Sequence, residues 1–165
     1  MLRGKRTEKR IEMSIYAENT RVPIDRSKTE IEKTLIRYGA EEFYYGTSSR
    51  GSGIGFKYKG RIIKMNIPIP DRGKYSANQS GETKWQQAQR QLWRVLLLAL
   101  KAKLELVDSG LTTFEDEFLA QTCLPGGGTI SQHLQPQIEK MVESGKMPNL
   151  LLLTDENLPR RHEEL

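Results

Sequence analysis

The chain carries one cysteine, Cys123, in 165 residues. A disulfide framework within the chain is therefore excluded, and a reducing, cytoplasmic location is expected. Histidine is nearly as scarce, with only His133 and His162. One thiol and two imidazoles supply no zinc-ligand spacing, so no metal is expected. Nucleophile-plus-base chemistry would have to draw on Cys123 and His133. A cysteine set in Thr122-Cys123-Leu124 is more commonly a small buried hydrophobe, and no catalysis or cofactor is expected. Long apolar runs are also missing. The longest, Val95 to Leu100, is six residues, far below the ~20 that cross a bilayer. The opening Met1-Leu2-Arg3-Gly4-Lys5-Arg6 leads into further charge instead of an apolar segment, so neither a secretory signal nor a membrane partner is expected.

Positive charge, by contrast, is plentiful and uneven. Residues 1–49 hold ten Lys/Arg against eight Asp/Glu, residues 50–104 twelve against two, and residues 105–165 four against eleven. The blocks carry +2, +10 and −7, giving the net +5 of the chain. A block of +10 suggests a polyanionic partner, while pairing of basic and acidic blocks inside the fold or between subunits is the plainer alternative.

The hydrophobic pattern describes one α+β domain over residues 11–153, between a basic arm (1–10) and a charged tail (154–165). Alternation from Ile11 through Glu18 predicts a strand. Ser27 and Glu30 read as a capping box opening a helix that buries Ile31, Leu35 and Ile36 and stops at Gly39. Strands follow at Phe43–Thr47, Ile54–Tyr58 and Arg61–Ile67. A two-residue turn at Lys59-Gly60 sets Phe56 opposite Ile63 and Ile54 opposite Met65. Lys57 then faces Ile62, and Gly55 faces Lys64, on the other side of the sheet. Thr83 reads as the cap of a long helix ending near Asp108. On it Trp85, Leu92, Leu96 and Ala99 share one side, and Gln87, Arg90, Arg94 and Lys101 another. Its apolar residues exceed one stripe, which predicts burial by two layers or by a second subunit. Thr113 caps a short helix to Gln121. A last helix over Ser131–Ser144 is predicted to turn Leu134, Ile138, Met141 and Val142 inward, and Leu150–Leu153 forms an apolar anchor. The expected architecture is an antiparallel sheet of three to four strands packed on two main helices, with a small helical C-terminal part.

Two glycine-rich stretches read as turns. Gly51-Ser52-Gly53-Ile54-Gly55 lies between strands, without the following helix that a dinucleotide fingerprint needs. Pro125-Gly126-Gly127-Gly128 lacks the Lys-Ser/Thr of a phosphate loop. Glu115, Asp116 and Glu117, at the start of a helix, are placed to favour the helix dipole rather than to bind a cation. The nucleic-acid candidates are Arg50, Lys57, Lys59, Arg61, Lys64, Arg72, Lys74, Arg90, Arg94 and Lys101, with the basic arm. Phosphate neutralisation needs charge and no special geometry. Tyr44, Tyr45 and Tyr58, on or beside the basic hairpin, are placed to stack on unpaired bases.

The blocks Tyr16-Ala17-Glu18-Asn19-Thr20, Arg37-Tyr38-Gly39-Ala40, Lys101-Ala102-Lys103-Leu104-Glu105 and Phe114-Glu115-Asp116-Glu117-Phe118-Leu119 resemble short phage- and prophage-type proteins of uncharacterised function. That resemblance spans most of residues 11–145 and implies no activity. The order helix, three antiparallel strands, helix over 27–108 is similar in topology to the cores of phage single-strand annealing proteins and to double-stranded RNA-binding domains, with no signature residue shared. Together these readings lead to the expectation of a DNA- or RNA-binding accessory protein of phage or mobile-element DNA metabolism, without sequence preference and as a homo-oligomer. A protein-interaction or inhibitor module, acting on a host or phage protein, is the alternative.

Overall fold

A computed structural model of the chain describes residues 16–48, 51–68 and 70–146. The basic arm, most of the first predicted strand, the Leu150–Leu153 segment and the tail lie outside the described residues. So does Arg50. The last residues of that predicted strand, Tyr16–Glu18, form a turn with Asn19 in which Ala17 adopts φ 57°. The turn is tied to the rest of the fold by glutamine amides: Gln91 donates to the Tyr16 carbonyl at 2.9 Å, and Gln87 to those of Glu18 and Thr20 at 2.8 Å.

Helix α1 (Ile24–Arg37) starts four residues earlier than the capping-box reading places it. Pro23 occupies the N-cap position, so Ser27 lies inside the helix, buried, with its hydroxyl directed at the Pro23 carbonyl. Proline needs no donor partner there, and its fixed φ suits a helix entrance. Ser27, Ile31, Thr34 and Leu35 make the buried stripe. Ile36 falls outside it at 59% exposure, one helical step around from Leu35. Gly39, at φ 92°, stops the chain from continuing the helix, as predicted.

Three strands follow as an antiparallel meander in the order β1 (Glu42–Ser48), β2 (Gly51–Tyr58), β3 (Arg61–Pro68). The hairpin register is the predicted one, with Phe56 opposite Ile63, Ile54 opposite Met65, Lys57 opposite Ile62 and Gly55 opposite Lys64. Lys59 at φ 45° and Gly60 at φ 76° form the turn, whose two positive φ values match the twist of the flanking strands. The Gly51–Gly55 stretch differs from its reading: it is the first part of β2 and not a turn.

Helix α2 (Gln79–Asp108) also begins early. Asn78 is its cap, accepting from the Gly81 amide at 2.9 Å, while Thr83 sits inside and donates back to the Gln79 carbonyl. Its buried stripe runs through Trp93, Leu96, Leu97, Leu100 and Leu104, not through Trp85 and Ala99. Leu98 and Leu106 stay exposed, so one layer buries the helix on one side only among the described residues. Helices α1 and α2 cross on a single face of the sheet and close the core with Ile54, Phe56, Ile63 and Ile67. No helix among the described residues is long and apolar enough to cross a membrane.

Helix α3 (Phe114–Phe118), capped by Thr113 as predicted, adds two aromatic rings to the core. Phe114 and Phe118 stack at 4.6 Å, and Phe118 meets Phe56 edge-on at 5.8 Å. A short 3-10 turn leads to Thr122 and Cys123, which lie along the outer edge of β3, the Cys123 amide donating to the Ile62 carbonyl at 2.8 Å. Helix α4 (Ile130–Ser144) carries a full capping box between Thr129 and Gln132 and ends at Gly145, φ 63°. Its predicted inward stripe is not buried. Ile138 is 44% and Val142 78% exposed, because α4 packs chiefly against the 3-10 turn instead of a broad apolar surface. The molecule is an α+β fold: among the described residues, a three-stranded sheet with helices on one side.

Candidate nucleic-acid interface

Strand alternation puts Phe43, Ile54, Phe56, Ile63 and Met65 on the helix side, with the intervening residues turned the other way. On that open side the register assembles four cross-strand rows. From the hairpin end they are Glu42–Lys57–Ile62, Tyr44–Gly55–Lys64, Gly46–Gly53–Asn66 and Ser48–Gly51–Pro68. The central strand thus contributes three glycines in line. Between the flanking side chains lies a trough of about 710 Å³, bounded on the β3 side by Ile62, Lys64, Asn66 and the half-buried Cys123.

The glycines differ in what demands them. A Cβ on Gly51 would stand 2.6 Å from the Ile67 carbonyl oxygen, and one on Gly53 2.8 Å from that of Met65. Close pairing of β2 with β3 leaves no room at either position. At Gly55 the nearest contacts are ordinary, 3.5 Å to the Ile63 carbonyl oxygen and 3.6 Å to the Tyr44 ring. At Gly46 a Cβ would meet nothing within 4 Å. The Tyr44 ring leans toward Gly55 and remains 49% exposed.

The other two tyrosines are committed to the helix side. Tyr58 stacks on Phe114 at 4.0 Å. Tyr45 packs edge-on against Phe43 and donates its hydroxyl to the Lys28 carbonyl at 2.6 Å. Burial, reinforced by the charge of Glu32, pushes its pKa up to about 12.

Ion pairs divide the predicted basic residues. Lys57 bonds Glu42 at 3.1 Å and lies 3.8 Å from Glu41. The Glu42 hydrogen bond and charge, then the charge of Glu41, raise its pKa further. Arg61 pairs with Glu115 at 2.9 Å, and Arg72 with Glu82 at 3.2 Å while its guanidinium lies over Trp85. Arg94 joins Glu30 at 3.0 Å. Burial would raise the Glu30 pKa, but the hydrogen bond and charge of Arg94, with Arg26 and Lys101, outweigh it and hold the group below its ordinary value. Arg90 is oriented by Gln87 at 2.7 Å. Lys59 lies over its neighbour's ring, Tyr58, and forms no ion pair among the described residues. Lys64, Lys74 and Lys101 are exposed and make none either among the described residues. Of the acidic trio on α3, Glu115 and Glu117 pair with Arg61 and Lys103, and Asp116 accepts from Thr113.

The structure brings Lys57 and Lys64 together on the open face. It sets Arg90, Arg94 and Lys101 in the helical layer on the opposite side of the sheet, so the two predicted clusters do not form one surface. Arg61, Arg72 and Lys103 serve chiefly to link elements. Sequence reading overlooked Gly46 and took the alternating glycines for a turn. The usable signal was Gly51, Gly53 and Gly55 interleaved with Ile54 and Phe56, a period of two that belongs to a strand with one bare face. Against protein-family models, curated proteins and solved structures, the chain finds no match.

Proposed function

We propose that this protein binds DNA or RNA without sequence preference, as a cytoplasmic accessory protein of phage or mobile-element DNA metabolism with no chemistry of its own. The observation that carries the reading is the charge left over after pairing. In residues 50–104 Glu82 is taken by Arg72, and Asp71 caps a 3-10 turn. Acids from other segments neutralise Lys57, Arg61, Arg94 and Lys103. Lys59, Lys64, Lys74, Lys84, Arg90 and Lys101 remain without an ion pair among the described residues, a surplus that attracts a polyanion by counterion release. Fluorescence anisotropy with labelled single- and double-stranded oligonucleotides at low and moderate salt tests the proposal. Binding that weakens steeply with salt is expected, and absence of binding at low salt rejects it.

A second reading, a protein-interaction or inhibitor module, is favoured by one feature. Helix α4 exposes Ile138 and Val142 along its length with no partner for them among the described elements. Capture of host-lysate proteins that persists after nuclease treatment would favour it over nucleic acid.

A further inference from the structure

We infer that the glycine-floored trough on the open face of the sheet seats unpaired nucleobases of a single strand, with Tyr44 stacking on a base and Lys64 meeting its phosphate. The inference rests on the nucleic-acid reading above and assigns it a place and a substrate class.

The glycine floor carries a cost. Glycine is disfavoured inside a strand, where it loses entropy and packs nothing, and it often marks close approach of another group. Close pairing to β3 accounts for Gly51 and Gly53, but no neighbour accounts for Gly46, whose missing Cβ would have open space around it. An absent side chain there keeps the row Gly46–Gly53 flat between Tyr44 and Asn66.

The walls of the trough supply complementary chemistry. Tyr44 stands in the row next to that bare floor, set against Gly55 on one side and half exposed on the other. An aromatic side chain with few rotatable bonds, already braced, gives up little freedom when a base stacks on it. Asn66 has its Oδ1 beside Gly53 and no hydrogen-bond partner among the described residues, so it offers a donor and an acceptor to the edge of a base. Lys64 lies across Gly55 from Tyr44 without an ion pair. Lys57, the other cation of this face, is already neutralised by Glu42 and Glu41 on the β1 side. Charge complementarity therefore runs the phosphates along β3 and turns the bases inward over the glycines. A duplex keeps its base faces stacked on one another and has none to offer Tyr44.

The test compares wild type with Tyr44→Ala, Tyr44→Phe and Gly46→Val by anisotropy, using labelled oligothymidylate and a hairpin duplex. Valine suits a strand and has space at position 46, so the fold is retained. Oligothymidylate affinity should fall roughly tenfold in Tyr44→Ala and Gly46→Val and stay near wild type in Tyr44→Phe, since stacking needs the ring alone. Duplex affinity should not respond to any of the three. Equal oligothymidylate affinity in wild type, Tyr44→Ala and Gly46→Val overturns the trough assignment while leaving general nucleic-acid binding standing. Wild type that binds neither oligonucleotide overturns both. If the two variants change self-association and not affinity, a second copy of the chain occupies the trough, and the inference is likewise overturned.

Discussion

Gly46 lies in mid-strand with open space where a Cβ would stand, so the fold gains nothing from its missing side chain. Replacing it with valine should stabilise the protein by about 0.5–1 kcal/mol, seen as a higher urea midpoint at unchanged m. Gly51 behaves oppositely. With φ 157° and a Cβ position 2.6 Å from the Ile67 carbonyl oxygen, Gly51→Ala should lower the midpoint. Tyr45 provides a third test at this scale. Its folded pKa of about 12 lies above the ordinary 10.0, so the folded state holds the proton longer than the unfolded chain does. Its share of stability is therefore complete below pH 10 and is lost as pH rises toward 12. Comparison of wild type and Tyr45→Phe by chemical denaturation across that range should show the alkaline loss only where the phenol is present.

Between elements, the joint of α1 and α2 is held by the Ile31–Leu35 stripe and by Glu30 with Arg94. The Glu30 pKa is lowered from 4.5, so the folded state favours the ionised carboxylate. Its contribution is present above that value and disappears as pH falls through the folded pKa. The stability gap between wild type and Glu30→Gln should be open at neutral pH and close progressively below 4.5, as followed by urea unfolding. Legibility at this scale was uneven for physical reasons. The hairpin register could be read because a two-residue turn at Lys59-Gly60 leaves one pairing that keeps Phe56 and Ile54 on the same face as Ile63 and Met65. The starts of α1 and α2 could not, because Ser27 and Thr83 are as good caps locally as Pro23 and Asn78, and the choice depends on what packs behind the first turn. In α4 the amphipathic stripe was legible, but its burial depended on a partner that no residue within the helix specifies.

Across the whole molecule, the sheet separates two populations of cations. Lys64 stands on the open face, while Arg90 and Lys101 belong to the helical layer behind it. If oligothymidylate lies in the trough, Lys64→Ala should reduce the salt slope of binding by about one, as loss of one phosphate contact does. Lys57→Ala should change it less, because Glu41 and Glu42 already neutralise Lys57. Arg90→Ala and Lys101→Ala should weaken single- and double-stranded binding alike, through the summed field. A titration over several salt concentrations reads all of these.

Sequence by itself determined the α+β class, the register of the β2–β3 hairpin, the caps at Thr113 and Gly39, and a surplus of positive charge in the middle third. Each of these follows from local chemistry: residue alternation, turn dihedrals, backbone donors needing partners, and counting. Only the tertiary structure decided which charges survive pairing and which face each one occupies. Glu30, Glu115 and Glu117 reach their partners from distant segments, and among the described residues the helices cover one side of the sheet and leave the other uncovered. A run of +10 along the chain thereby becomes two separate surfaces, and the glycines at 51, 53 and 55 become the floor of one of them.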